Sequence, residues 1–328
     1  MQQILLIQTA FIGDVILATG VLEKLHAHFP EAHIDFLVRK GNESLLHGHP
    51  FVRKVLVRDK KLGKWKSLRL LLKDIRTTRY DIVVNLHRFL SSGILAGFSK
   101  GKHICGFDKN PLSWRYHHKV PHLISKTPGG PHELDRNQSA IAHFTDTERA
   151  FPKLYPSAEA YEKVRRTKPY VCIAPTSVWF TKQWPGDKWA ELIGRVPAAT
   201  DVLLLGAPGD AGACEAIAKA AGRAVEVLAG KLSLLESAAL MAGADMNYVN
   251  DSAPLHLATA MRAPVTAVFC STVPAFGFGP GASNGRTVET DAGLACRPCG
   301  LHGKRKCPEG HFRCAEIPVE RVLAQDQA

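Results

Sequence analysis

Short apolar runs alternate along this chain with longer segments whose apolar side chains recur every three or four positions. Ile4-Leu5-Leu6-Ile7 has the pattern of a short buried strand. A loop with Gly13 comes next, then residues 14–29, where Val15, Leu17, Ala18, Val21, Leu22 and Leu25 fall at helical spacing and Pro30 ends the run. Further strands are expected at 34–38, 55–57, 81–86 and near 103–106, with helices over 60–79 and 133–147. Residues 107–132, rich in Pro, Gly and aromatic side chains and carrying His117-His118, are expected to form a long functional loop. Residues 150–169, with Pro152, Pro156 and Pro169, have linker composition.

The alternation then restarts. Strands are expected at 170–174, 202–205, 225–228, 246–249 and 265–269. Helices are expected at 188–195, 210–221, 233–242 and 252–261, with a last one over 319–325. Strands alternating with helices imply βαβ units and mainly parallel sheets. The expected architecture is α/β, with two doubly wound Rossmann-like domains facing a central cleft. The boundaries are 1–155, a linker at 156–169, and 170–328 with a Cys-rich tail. Ligands in such sheets sit outside the carboxyl ends of the strands.

The 328 residues suit about two domains. The apolar fraction of 45% and charged fraction of 22% exclude collagen-like, coiled-coil and wholly disordered chains. No apolar run approaches the ~18–20 residues that span a bilayer. The opening Met1-Gln2-Gln3-Ile4 lacks a basic region and Asp14 interrupts the apolar stretch after it, so no secretory signal is expected.

Charge changes the picture. The formal net charge is +12, and residues 1–160 carry +10 of it, together with 12 of the 15 histidines. A basic half raises the local concentration of anionic partners: nucleic acid, an anionic membrane or a phosphorylated or carboxylated substrate. No zinc-finger, RNA-recognition or helix-turn-helix signature accompanies the charge, which argues against nucleic acid.

Three loops at strand ends carry candidate chemistry. Thr9-Ala10-Phe11-Ile12-Gly13-Asp14 places a carboxylate at a helix start, where it serves as an N-cap contributing about 1 kcal/mol or as a general base at the mouth of a cleft. This loop has neither G-x-x-x-x-G-K-[ST] nor G-x-G-x-x-G, which disfavours a P-loop NTPase and a dinucleotide dehydrogenase. The second loop runs from Ala174 to Pro185. Its Thr176, Ser177 and Thr181 hydroxyls and the Lys182 ammonium suit a diphosphate. The third, Asn250-Asp251-Ser252-Ala253-Pro254-Leu255-His256, opens a helix whose unpaired N–H groups form an anion site. Asp251 could instead cap that helix, and His256 could be structural. Near the C-terminus Cys296, Cys299, Cys307 and Cys314 cluster with His302 and His311. Only the first pair has C-x2-C spacing, so structural zinc, reduced packing cysteines and an oxidised pair all stay open.

Taken in order, these motifs resemble the bacterial lipopolysaccharide heptosyltransferases, the ADP-heptose-using glycosyltransferases of family 9, over nearly the whole chain. Gly13-Asp14-Val15, Thr181-Lys182-Gln183-Trp184-Pro185 and Asp251-Ser252-Ala253-Pro254-Leu255-His256 are similar to three family signatures. Cys296-Arg297-Pro298-Cys299 with Cys307-Pro308 and Cys314 is similar to the cysteine-rich tail of the heptosyltransferase II type.

The resemblance implies a GT-B fold, an N-terminal acceptor domain, a C-terminal nucleotide-sugar domain and inversion at the anomeric carbon. It implies Asp14 as general base and Lys182 as the cation on the departing diphosphate. Thr176, Ser177, Thr181, Asp251, Ser252 and His256 would bind the ADP-heptose donor. The sequence has no D-x-D, so no metal clamp on the diphosphate is indicated and no cofactor is expected, structural zinc in the tail aside. The expected acceptor is the anionic inner core of lipopolysaccharide (Kdo and heptose on lipid A). Lys60, Lys61 and Lys64, with Lys66 and Arg69, are candidates for holding it or for contacting an anionic membrane. The expected location is cytoplasmic, peripheral on the inner face of the inner membrane. Alternatives are another family 9 or GT-B transferase with a different donor, and a non-catalytic protein that binds anionic glycolipid. Ala253-Pro254 departs from the glycine-containing step of some members, which bears on donor choice.

Overall fold

The computed structural model describes residues 1–281 and 284–324, apart from the Lys64 side chain. The chain forms two compact units. The first comprises Met1–Leu123 and Glu133–Tyr155, and the second Ile124–His132 and the residues from Pro156 onward.

The first unit carries one six-stranded sheet, built from β1 (Gln3–Gln8), β2 (His33–Arg39), β3 (Val52–Arg58), β4 (Ile82–Asn85), β5 (His103–Phe107) and β6 (His118–Val120). The order is β3-β2-β1-β4-β5-β6, and every pairing is parallel. Ile4 to Ile7 of β1 are wholly buried. Covering both faces of a central strand removes the in–out alternation and leaves a continuous apolar run. Helices α1 (Ile12–His28), α2 (Lys64–Ile75), α3 (Leu90–Gly97) and α4 (Glu133–Ser139) complete the unit.

The second unit repeats the plan. Its strands are β7 (Tyr170–Ala174), β8 (Asp201–Leu204), β9 (Glu226–Val227), β10 (Met246–Asn250), β11 (Val265–Phe269) and β12 (Gly285–Glu289). They run in the order β12-β11-β10-β7-β8-β9, again all parallel. Its helices are α5 (Ala158–Val164), α6 (Gly186–Arg195), α7 (Ala211–Ala220), α8 (Leu234–Ala242), α9 (Ala253–Ala260) and α10 (Val319–Leu323). The core gathers Ile173, Leu204 and Val268 from the sheet with Trp189, Leu192 and Ile193 from α6. Trp184 and Trp189 meet edge to face there, with ring centroids 4.8 Å apart. In both sheets the strand order reverses direction beside the first strand, between β1 and β4 and between β7 and β10. Ligands bind at such switch points in doubly wound sheets.

Several expectations need correction. The segment 156–169 is not a bare linker. It contains α5, capped by the Ser157 hydroxyl accepting from the Ala160 N–H, and it belongs to the second unit. Residues 107–132 are not all loop, because His118–Val120 pairs with β5 as the edge strand of the first sheet, and 124–132 group with the second unit. The helix expected over 60–79 is a 3-10 turn, Lys60–Leu62, then Gly63 at φ 87°, then α2. The helix expected over 133–147 stops at Ser139, and the last helix stops at Leu323; Gln325 lies outside the described residues. α3 and β12 were not anticipated.

Candidate active site

In the first unit the chain leaves β1 and turns into α1. Asp14 is the third residue of α1 rather than its cap. The cap position is Phe11, whose N–H donates to Asp14 Oδ2 at 3.1 Å. The carboxylate therefore lies on the first turn of a helix following the central strand, at the carboxyl end of the sheet. The Asn42 amide donates to the Ala10 carbonyl at 3.2 Å and ties the same loop to the turn after β2.

Three cations close the neighbouring strands. Arg39 ends β2 and Arg58 ends β3, with Lys60 two residues further on. Arg39 stacks over the Phe11 ring, 5.4 Å from its centroid. Arg58 is buried and donates to the Ser91 hydroxyl at 2.6 Å. Desolvation, then the charges of Arg58 and Arg39, hold the Lys60 pKa below its ordinary value. Across the switch point His87 follows β4 and pairs with the Thr9 hydroxyl at 2.9 Å. Burial, reinforced by Arg58, Lys60 and Arg88, lowers the His87 pKa to about 4, so the ring is neutral at neutral pH. Arg39, Arg58 and His87 were missed from sequence, although each stands at a strand's carboxyl end, and that position was the available signal.

Beneath this site Glu133 of α4 is buried and bonded to Arg136 at 2.7 Å. Burial pushes the Glu133 carboxyl up to about 7; Arg136 opposes that rise and the Asp14 charge adds to it. Lys60 and Lys61 are exposed on the turn after β3. Lys64 opens α2, and its side chain lies outside the described residues.

In the second unit the loops after β7 and β10 meet at the switch point. Asn250, the last residue of β10, pins the β7 loop at both ends: its Oδ1 accepts from the Trp184 N–H at 2.9 Å, and its Nδ2 donates to the Pro175 carbonyl at 2.8 Å. Between those anchors a 3-10 turn, Phe180–Lys182, aims two consecutive side chains differently. Lys182 Nζ pairs with Asp251 Oδ2 at 2.7 Å, and the Thr272 hydroxyl donates to the same carboxylate oxygen at 2.5 Å. Thr181 is buried, its hydroxyl oxygen accepting from Ser271 Oγ at 2.9 Å and from the Lys304 N–H at 2.8 Å. These two bonds fasten the loop to Ser271 and to the C-terminal tail. Thr176 and Ser177 are half-buried on the same loop.

Asp251 does not cap α9. The cap position is Ser252, which makes no side-chain capping bond; Pro254 has no N–H and the Leu255 N–H bonds the Ser252 carbonyl at 3.1 Å, so it is the positive end of the helix dipole, more than a set of free donors, that stands beside the Lys182–Asp251 pair. His256, one turn into α9, is buried, and its Nδ1 has no protein partner. Burial, only partly opposed by Asp251, lowers its pKa to about 4 and keeps the ring neutral.

The tail holds this loop cluster in place. Arg297 donates to the carbonyls of Cys270 (2.7 Å) and Thr272 (2.7 Å) and pairs with Glu289 at 2.6 Å. Gly303, at φ 74°, lies so close to the loop that a Cβ there would meet Lys182 Cγ at 3.0 Å. The tail cysteines neighbour one another: burial raises the Cys299 pKa and the charges of Cys296 and Cys307 add to that rise, and Cys314, packed in the core, feels all three. Cys296 Sγ is 4.0 Å from His311 Nε2, and among the described residues no three His, Cys, Asp or Glu side chains form a metal-ligand group.

A family model described as glycosyltransferase family 9 (heptosyltransferase) matches residues 68–305. The chain belongs to glycosyltransferase family 9. Among curated members it is 25% identical over 322 residues to lipopolysaccharide heptosyltransferase 1 of Pseudomonas aeruginosa, covering 90% of this chain and 86% of that one. It is 28% identical over 287 residues to lipopolysaccharide heptosyltransferase 3 of Escherichia coli, covering 79% and 80%. Among solved family members, the E. coli ADP-heptose lps heptosyltransferase II superposes with a TM-score of 0.76 at 20% identity, over 98% of this chain and 96% of that one. The E. coli heptosyltransferase WaaC with ADP-2-deoxy-2-fluoro heptose gives 0.74 at 20% identity, over 98% of both. The two doubly wound units are those of the GT-B fold.

Proposed function

We propose that this family 9 enzyme transfers a heptose from ADP-heptose to the anionic inner core of lipopolysaccharide, with Asp14 as base and Lys182 as the cation that receives the leaving diphosphate. The observation carrying this reading is the Lys182–Asp251 pair at the second switch point. It fixes an ammonium beside the positive end of the α9 dipole, where in this reading negative charge grows as the sugar–diphosphate bond breaks. A preformed cation costs little reorganisation at the moment of reaction, which is why such placement accelerates bond cleavage.

The step balances simply. The acceptor hydroxyl loses its proton to the Asp14 carboxylate, its oxygen bonds to the anomeric carbon from the face opposite the diphosphate, and the electron pair of the broken bond leaves on ADP. Attack from the opposite face inverts that carbon. Thr176, Ser177, Ser252 and the neutral His256 are the remaining donor contacts in this reading. Lys60 and Lys61, joined by Arg39 and Arg58, suit an acceptor bearing carboxylates and phosphates. Such an acceptor is anchored in a membrane, and no described helix is long and apolar enough to cross one, so the enzyme would meet it from the surface, at the inner face of the inner membrane.

The test is ADP release with ADP-heptose and a heptose-deficient core. Asp14→Asn should lower kcat by at least a hundredfold while ADP-heptose still binds. Lys182→Ala should lower kcat and weaken donor binding together. Full turnover by Asp14→Asn would remove the base, and stronger stabilisation of the protein by UDP than by ADP would move the donor to another class.

A further inference from the structure

The outer face of α2 has a composition that neither half-site uses. Leu68, Leu71 and Ile75 point into the first unit's core. Lys66, Arg69, Lys73 and the capping Arg76 recur at intervals of three and four, which places them in one row on the opposite side. With Leu70 and Leu72 they line a cavity of about 610 Å³. Like charges in such a row repel, and no carboxylate lines the cavity. Asp74 on the same helix is engaged by Lys54 at 2.8 Å.

Arg76 also lines a second cavity, of about 510 Å³, together with Phe98, Lys100, Trp114, Arg115 and His117. This cavity is built. Arg115 Nε donates to the Gly97 carbonyl at 2.8 Å, and its guanidinium sits 4.3 Å from the Phe98 centroid and 5.3 Å from that of Trp114. Arg76 Nε donates to the Phe98 carbonyl at 2.8 Å. The face also exposes large apolar groups: Trp114 is 69% exposed and Leu70 51%.

These residues precede β4, β5 and β6, so the second cavity lies at the amino ends of the strands, away from Asp14 and the carboxyl-end cations. Cations interleaved with an exposed leucine on a surface helix, with an exposed tryptophan in the neighbouring 3-10 turn Ser113–Arg115, are the chemistry of an interfacial contact. The cations meet lipid phosphates while the aromatic and aliphatic groups enter the headgroup region. We propose that this face, the outer row of α2 continued through Arg76 into the Lys100–Trp114–Arg115 cavity, docks on an anionic bilayer. The proposal deepens the membrane contact of the proposed function and rests on the reading that the acceptor is lipid-anchored.

Vesicle flotation tests it, using the full chain with phosphatidylcholine vesicles and with vesicles containing phosphatidylglycerol. Wild type should float with the anionic vesicles, less so as salt rises, and not with phosphatidylcholine alone. Each neutralised cation should weaken binding about fivefold, so Lys73→Gln, Arg76→Gln and Lys100→Gln together should weaken it about a hundredfold. Trp114→Ala should weaken it with an unchanged salt dependence. An unaltered Tm confirms that the variants fold.

Equal flotation of wild type and the triple variant would overturn the proposal, as would flotation on neutral vesicles or none at all. Displacement by inorganic phosphate at constant ionic strength would make the cavity a small-anion site instead, and equal retention by duplex DNA would make the face a generic polyanion surface. Turnover of a detergent-dispersed core should survive in the triple variant. Turnover without vesicle binding sinks the docking face and leaves the enzyme reading intact; variant-sensitive binding without turnover does the reverse.

Discussion

Thr181 and Lys182 are adjacent, and both stand in the motif that carries the family resemblance, yet the fold gives them different work. Lys182 reaches Asp251, while Thr181 bonds inward to Ser271 and to the tail backbone at Lys304. Thr181→Val removes an acceptor from the buried Ser271 hydroxyl and the half-buried Lys304 N–H bond and should cost about 1–3 kcal/mol. That is a Tm drop of several degrees in a unit of this size. Thr181→Ser should recover most of it. Ser177→Ala, whose hydroxyl accepts only a long 3.5 Å contact from the Trp179 N–H, should leave Tm nearly unchanged. Equal Tm values for Thr181→Val and Ser177→Ala would contradict these roles. The residue types suited to a diphosphate were legible in the loop. Which of them faces inward was not, because that depends on Ser271 and Lys304, about 90 and 120 positions away.

At the scale of elements, α1 shows where propensity and packing disagree. Gly20 lies in the middle of this helix, where glycine costs about 1 kcal/mol relative to alanine. A Cβ at Gly20, however, would stand 2.7 Å from the Ala150 carbonyl oxygen, a backbone atom that cannot rotate away. Gly20→Ala should therefore lower Tm despite its better helix propensity, and a raised Tm would show that the 150–152 segment does not press on α1. The strands and helices read correctly from sequence are those with long apolar runs or a full helical stripe, such as β1, α1 and α6. Those missed are short or depend on a neighbour. β6 has three residues and exists because β5 offers it an edge, and in β12 only Val288 is buried. α3 contains Ser91, Ser92, Gly93 and Gly97, poor helix formers held by partners outside the helix: Gly93 lies against Asn110, Gly97 against Arg115, and Ser92 bonds the His87 carbonyl at 2.6 Å. In 156–169 the prolines signal a linker, but they lie at its two ends, and Ser157 caps α5 between them.

For the whole molecule, acid should be the destabilising direction. His49, His87, His122 and His256 are each held near a pKa of about 4, in every case chiefly by burial, against an ordinary value of 6.5. Between those values the unfolded chain binds protons that the folded chain refuses, so stability falls as pH drops from about 6.5 toward 4. Glu133 has the opposite sign. With its pKa raised from 4.5 to about 7, it favours the folded state at low pH and loses that contribution as pH rises through the interval. Glu23, also raised by burial, acts with Glu133, and His118, also lowered, acts with the four histidines; the histidines outnumber the carboxyls and give a net loss on acidification, which a Tm that stays flat from pH 7 to pH 4.5 would contradict.

The sequence by itself determined the alternation of buried strand and amphipathic helix. Right-handed crossovers turn that alternation into parallel sheets whose loops gather at the carboxyl ends, so the pattern alone places the candidate motifs there. It also determined the excess charge of the first half. Only the tertiary structure decided which loop groups bond to distant parts of the protein, and that the cations of 66–76 continue into a cavity with Trp114 and Arg115. Those outcomes depend on contacts between residues far apart in the chain, and no local spacing encodes them.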